Sequence, residues 1–279
     1  MSQCQLLRAL LESEQPLVMP DAYDALSARL IENAGFKAVQ CSGYSMALSA
    51  GCKTEDDFSF ERNLQITQDI IRSVSIPVMA DGEDGFGPPE KVMATVKAFA
   101  NIGVSGINLE DQNLRSIGPK SVIDTDLMVE KIIAARRAAE ECTIPDLVIN
   151  GRTDALAVAS DRRIGLKDAI DRATRYLEAG ADLVFVTSVI TLDEAETLAK
   201  EIPGPLSIAA GLPNNIGTLS IDNLKNCGLA RISLPTIAVF ATIQAIKQTL
   251  LSINEYNDLQ ELHRLNLLCS MEDVVKLKK

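Results

Sequence analysis

Five acidic side chains stand in two short clusters, each directly after an apolar run: Asp81, Glu83 and Asp84 in "VMADGEDGFGPP", then Glu110 and Asp111 in "NLEDQ". Gathered at one end of a fold, these carboxylates would repel one another strongly unless a cation neutralised them. Hard oxygen ligands without soft ones favour Mg2+, with Mn2+ as a substitute. Taken singly, Asp84 or Asp111 could instead cap a helix that follows the strand. Gly85 and Gly87, ahead of a proline-led helix, suggest a turn in which the backbone approaches something closely.

Arg152, in "VINGRTDAL", is the natural partner for an anionic substrate, because a guanidinium fork grips a carboxylate or phosphonate at two points. It could equally form an ion pair with Asp154 or Glu110. "CSGYS" places Ser42, Gly43 and Tyr44 after another apolar run, where small residues and free backbone N–H groups suit a second carboxylate or an oxyanion. A plain tight turn is the other reading of that stretch.

The elements that must carry these residues repeat one grammar. Four times a helical pattern ends in a glycine (Gly35, Gly103, Gly180, Gly228) that fits the left-handed closing position, and an apolar run follows. With the runs between them, eight strands are predicted near residues 17–20, 37–41, 76–80, 104–109, 146–151, 182–187, 205–210 and 229–233. Helical spacing fills the intervening windows, for example 90–102 and 166–179. Strict alternation of helices with strands that are apolar on both faces predicts a parallel sheet closed into a (β/α)8 barrel of the TIM type. A doubly wound open sheet fits less well, because "MPDAYDALS" follows the first strand where a glycine-rich dinucleotide loop would stand. One domain of 279 residues is expected, with the barrel over about 15–250 and helices outside it over about 253–279 that cap the barrel or pack on a neighbouring subunit.

A formal net charge of −11 disfavours nucleic acid and anionic membranes as partners. No apolar run reaches membrane-spanning length, and the amino-terminal stretch reads as an acidic amphipathic helix and not a signal peptide, so a cytoplasmic protein is expected. Six scattered cysteines without a CxxC pair read as reduced thiols, mostly in the core. The lone His263 lies beyond the barrel and reads as a helix-surface residue.

In order and spacing, "MPDAYDALSARLIENAGF", the "SG" after the second strand, "MADGEDGFG", "NLEDQ" and "GRTDA" resemble the isocitrate lyase and phosphoenolpyruvate mutase superfamily over roughly residues 15 to 250. The resemblance implies a Mg2+-dependent barrel that cleaves or rearranges a C–C or P–C bond next to a 2-oxo acid through an enolate-like species. It assigns Asp81 and Glu110 to the metal site, with Glu83 in place of the family's second aspartate. Arg152 then falls on the arginine that grips the substrate carboxylate, and Ser42, Gly43 and Tyr44 on the oxyanion-binding turn. It also implies a homotetramer with exchange of the last barrel helix.

Departures narrow the chemistry. The gating loop that carries Lys-Lys/Arg-Cys-Gly-His in lyases of that superfamily reads "NLRSIGPKSVIDT" here, without Cys or His. Thr187 stands where a glutamate is expected after the sixth strand, and Ala209 where an asparagine is expected after the seventh. Cleavage of a C–C bond in a small 2-oxo or 2-hydroxy dicarboxylate then needs a proton from solvent, Tyr44 or Lys120. P–C mutase or hydrolase chemistry on a phosphonopyruvate-like substrate is the alternative, and a carboxylate-binding barrel without catalysis a third. A Schiff-base aldolase is disfavoured, because only Lys37, at a strand edge, offers a strand lysine.

Overall fold

The computed structural model describes residues 1–114 and 118–277. Eight parallel strands close into one barrel in chain order, with β1 hydrogen-bonded to β8. They are β1 (Leu17–Ala22), β2 (Val39–Cys41), β3 (Val78–Asp81), β4 (Gly106–Glu110), β5 (Val148–Thr153), β6 (Leu183–Val186), β7 (Leu206–Ala209) and β8 (Arg231–Leu234). Each overlaps a predicted strand, which confirms the expected (β/α)8 barrel.

The helices run α1 (Gln3–Leu11), α2 (Ala25–Asn33), α3 (Gly43–Ser49), α4 (Phe60–Ser73), α5 (Pro89–Ile102), α6 (Thr125–Glu141), α7 (Ala155–Val158), α8 (Arg162–Glu178), α9 (Leu192–Glu201), α10 (Ile221–Lys225), α11 (Ile237–Tyr256), α12 (Leu259–Arg264) and α13 (Met271–Lys276). The repeated grammar has its physical basis at Gly103, which ends α5 with φ at 93° and turns its N–H back to Ala100 and Phe99. A Cβ is disfavoured in that conformation, so the chain leaves the helix there and enters β4.

Outside the strands, Val92, Val96 and Phe99 of α5 and Met128 and Ile132 of α6 bury against Ile107 and Leu109. The amino-terminal mouth of the barrel is closed by α1, whose Leu7 and Leu11 pack with Leu17, Met19, Met79, Val148 and Leu183. Arg8 fixes that plug by pairing with Asp182 at 2.8 Å and donating to the Asp146 carbonyl at 2.8 Å. Fully burying a side chain such as Leu7 contributes about 1.5–3 kcal/mol, so the plug is held chiefly by its apolar face.

The carboxyl-terminal end of the chain is different. Of the twenty residues of α11 only Val239 and Ser252 are buried, while Ile243, Ile246, Leu250 and Leu251 are exposed. The expected short helices beyond the barrel are α12 and α13; residues 278–279, the end of that expected segment, lie outside the described residues. Among the described residues no helix is long and apolar enough to cross a membrane.

Candidate active site

Strand ends bring three of the five acids together. Asp81 ends β3, Glu83 follows two residues on, and Glu110 ends β4; one carboxylate oxygen from each lies within 4.8 Å of the others, and all three side chains are buried. Glu83 reaches this place with φ at 50°, a conformation unusual for a residue with a side chain and of the kind that clusters at functional sites. Its carbonyl accepts from the N–H of Glu110 at 2.9 Å, which ties the two loops together.

The other two acids go elsewhere. Asp84 accepts from the N–H of Phe86 at 2.8 Å, and its carbonyl accepts from buried Lys131 at 2.6 Å. Asp111 accepts from the N–H of Asp154 at 2.9 Å and from the Tyr176 hydroxyl at 2.7 Å, and pairs with Arg172. Neither caps a helix; both anchor the loops that present the triad.

Burial pushes Glu83 well above the usual carboxylate range, and Asp81 and Glu110 push it further, with Arg152 opposing. Burial likewise raises Glu110 against the lowering effect of Arg152. Arg152 Nη1 lies 2.6 Å from Glu110 Oε2, yet that buried oxygen accepts no aligned hydrogen bond, so the contact is an ion pair only. Three buried carboxylates with one unsatisfied oxygen fit a divalent cation, since a cation supplies the charge that one guanidinium provides incompletely.

Asp81 is held in place from both sides. Its Oδ2 accepts from the N–H of Gly43 at 2.9 Å, and its Oδ1 accepts from Asn108 Nδ2 at 3.3 Å; Asn108 in turn accepts from Asn150 at 2.8 Å. The Gly43 amide, expected to be free for an oxyanion, is thus committed to a carboxylate. Ser42 caps α3 by accepting from the N–H of Ser45 at 3.2 Å.

Arg152 forks onto Asp154 at 2.8 and 3.0 Å while touching Glu110, so both sequence-level ion pairs exist in one side chain. Burial works against its charge, but Asp154 and Glu110 outweigh it, and the guanidinium stays protonated. About 23% of the side chain remains open to the cavity, which leaves a face for a ligand. Thr187 donates to Asp154 Oδ1 at 2.9 Å and so steadies the fork from β6.

The triad, Ser42, Asn108, Arg152, Asp154 and Thr187 line one cavity of about 430 Å3 at the carboxyl ends of the strands. Tyr44 stands at its rim, 44% exposed, with its ring edge-on to Phe240 of α11 at 6.4 Å between centroids. Lys120, also at the rim, has Nζ 3.5 Å from Gln112 Oε1. Residues 115–117 of its loop lie outside the described residues. Cys41 faces the same cavity, but burial pushes its thiol up to about 12 and disfavours the reactive thiolate; of the six cysteines, all unpaired, only Cys4 and Cys41 are buried, so most do not lie in the core as expected.

Several cavity residues escape the motif-based reading. Asp21, Gln40 and Arg231 form its floor, Glu55 reaches in from the segment after α3, and Asn214 comes from the loop after β7, five positions beyond Ala209. Arg231 in "ARISLP" carried a signal, since a cation inside an otherwise apolar strand must point at something. Glu55 and Asn214 carried none, because loop length alone decides what they reach.

A closed barrel with buried carboxylates and an arginine at the carboxyl ends of neighbouring strands has the arrangement in which barrel enzymes place their chemistry. The chain belongs to the phosphoenolpyruvate phosphomutase family, which it matches over residues 7–254. It is 30% identical over 254 residues to a 2-methylisocitrate lyase of Aeropyrum pernix, covering 90% of this chain and 79% of that protein. It is 28% identical over 291 residues to a 2,3-dimethylmalate lyase of Eubacterium barkeri, covering 93% and 94%. The solved structure of a phosphonopyruvate hydrolase with oxalate and Mg2+ superposes with a TM-score of 0.88 at 26% identity, covering 100% of this chain and 95% of that one. The named relatives are lyases and phosphomutases, and this protein is an enzyme of that kind.

Proposed function

We propose that the protein is a Mg2+-dependent lyase that cleaves a C–C bond of a small 2-oxo or 2-hydroxy dicarboxylate. The observation that carries this reading is the buried triad of Asp81, Glu83 and Glu110 beside the half-committed fork of Arg152. A divalent cation held by those three carboxylates would polarise the carbonyl of a chelated 2-oxo acid and lower the cost of enolate charge on it.

The remaining work falls to the chain. Arg152 binds the substrate carboxylate through its cavity-facing edge, while Asp154 and Thr187 hold the guanidinium in plane. Ser42 and Gly43 shape the turn against which the substrate rests, with Gly43 steering Asp81. Tyr44 or Lys120, both at the cavity rim, delivers the proton to the product carbon. We further read the 279 residues as one domain, the location as cytoplasmic and the assembly as a homotetramer; the exposed apolar face of α11 supports the last.

The test is a turnover panel with Mg2+: oxaloacetate and substituted malates on one side, phosphonopyruvate on the other. Release of a 2-oxo acid from the carbon substrates supports the lyase reading. Turnover of phosphonopyruvate alone replaces it with P–C hydrolysis or mutation, the reading favoured by the likeness to the hydrolase structure. Ligand binding without turnover on either side reduces the protein to a carboxylate-binding barrel.

A further inference from the structure

The cavity floor holds two polar side chains for which the triad and Arg152 leave no task. Asp21 and Met19 project inward from β1, two residues apart, and Arg231 projects inward from the adjacent β8. Asp21 is only 6% exposed, it lines the cavity, and no described residue donates a hydrogen bond to its carboxyl, whose Oδ1 is shielded in the wall. An unpaired buried acceptor costs about 1–3 kcal/mol, so retention of this carboxyl in a cavity wall points to a ligand group that reaches its other oxygen.

Arg231 shows the complementary lack. Its Nε donates to Ser207 at 2.8 Å, and its Nη1 donates to Gln40 at 2.9 Å beside Met79 Sδ. Phe185 packs on the guanidinium at 5.1 Å. Its hydrogen bonds run from Nε and Nη1, which leaves Nη2 for the cavity that the side chain lines, and Arg231 and Asp21 form no ion pair with each other although their strands are adjacent. Burial raises the Asp21 carboxyl and lowers Arg231 to about 10, the mutual attraction offsetting both only in part.

Only some ligand groups fit between them. A second carboxylate would suit Arg231 but meets the negative charges of Asp21 and Asp81. A methyl group would leave both the Asp21 oxygen and the Arg231 N–H unpaired. One hydroxyl donates to the first and accepts from the second, satisfying both at once. We propose that Asp21 and Arg231 form a subsite that selects a hydroxyl-bearing substituent of the substrate, apart from the end held by the triad and Arg152. The inference rests on the 2-oxo acid reading of the site and specifies which acids it takes.

Calorimetric binding with Mg2+ of oxalate, pyruvate and 3-hydroxypyruvate tests it. Oxalate reports on the triad and Arg152 alone; the other two differ by one hydroxyl. The wild-type protein is expected to prefer 3-hydroxypyruvate over pyruvate by about tenfold or more. Asp21→Ala is expected to erase that preference while retaining oxalate, and Asp21→Asn, which keeps an acceptor oxygen, to retain part of it. Equal affinity of the wild-type protein for the two acids, as a water filling the gap would give, overturns the subsite, as does a preference that survives undiminished in folded Asp21→Ala. Failure of oxalate to bind the wild-type protein falls on the metal reading itself and takes the subsite with it.

Discussion

Gly43 and Glu83 approach so closely that a Cβ on the glycine would lie 1.7 Å from Glu83 Oε1 and 3.2 Å from Asp81 Oδ2. The hydrogen atom at position 43 is therefore what lets the carboxylates at the end of β3 sit against the turn after β2. Gly43→Ala is expected to displace Glu83 and weaken Mg2+ affinity by about 10–100-fold, the range seen when groups supporting metal ligands are lost. Titration of Mg2+ by calorimetry checks this; undiminished affinity in the variant would show that Glu83 takes no part.

The raised carboxyls predict how stability follows pH. Glu83 and Glu110 hold their protons more tightly in the folded chain than the unfolded value of 4.5. Their contribution is therefore fully present below that value and is lost as pH rises toward the higher folded-state value. Without metal, the melting temperature should fall as pH climbs from the mildly acidic range, and saturating Mg2+ should restore more stability at alkaline than at acidic pH. A Mg2+ effect that does not change with pH would contradict the triad as the binding site.

Arg152→Lys tests the fork. Lysine keeps the charge but cannot span Asp154 and a ligand carboxylate in one plane, so oxalate affinity should drop by about tenfold or more while Mg2+ affinity changes little. Equal losses of both would mean that Arg152 serves the triad and not the substrate.

The plug at the other end of the barrel should be separable from the site. Leu7→Ala removes a fully buried side chain and is expected to cost about 2–5 kcal/mol in denaturant unfolding. Oxalate binding by the folded fraction should be unchanged; a parallel loss would show that the bottom of the barrel sets the geometry of the top.

For α11, Leu250→Glu places a charge in the exposed apolar face and should lower the mass measured by analytical ultracentrifugation. An unchanged mass would mean that this face is not a subunit contact.

The barrel was legible because each unit announces itself: a helix pattern, a glycine that must turn left-handed, then a short apolar run. Gly103 and β4 follow that rule residue for residue. The acids were visible as a group, yet their division was not. Asp84 and Asp111 look like Glu83 and Glu110 in the sequence; only the positions of Lys131 and Tyr176, which lie on helices many residues away, send them outward. The same limit hid the commitment of Gly43 to Asp81, since an amide is free or engaged according to what a different strand end places beside it. Asp21 and Arg231 belong to strands at opposite ends of the chain, and closure of the barrel alone brings those strands side by side.

The central claim is that the triad holds a divalent cation. Mn2+ binding followed by electron paramagnetic resonance at neutral pH, on the wild-type protein and on Glu110→Gln, tests it most directly. One bound ion per chain in the wild-type protein, displaced by Mg2+ and weakened in the variant, is the predicted result. Absence of bound Mn2+ in the wild-type protein, or equal binding in Glu110→Gln, would contradict it.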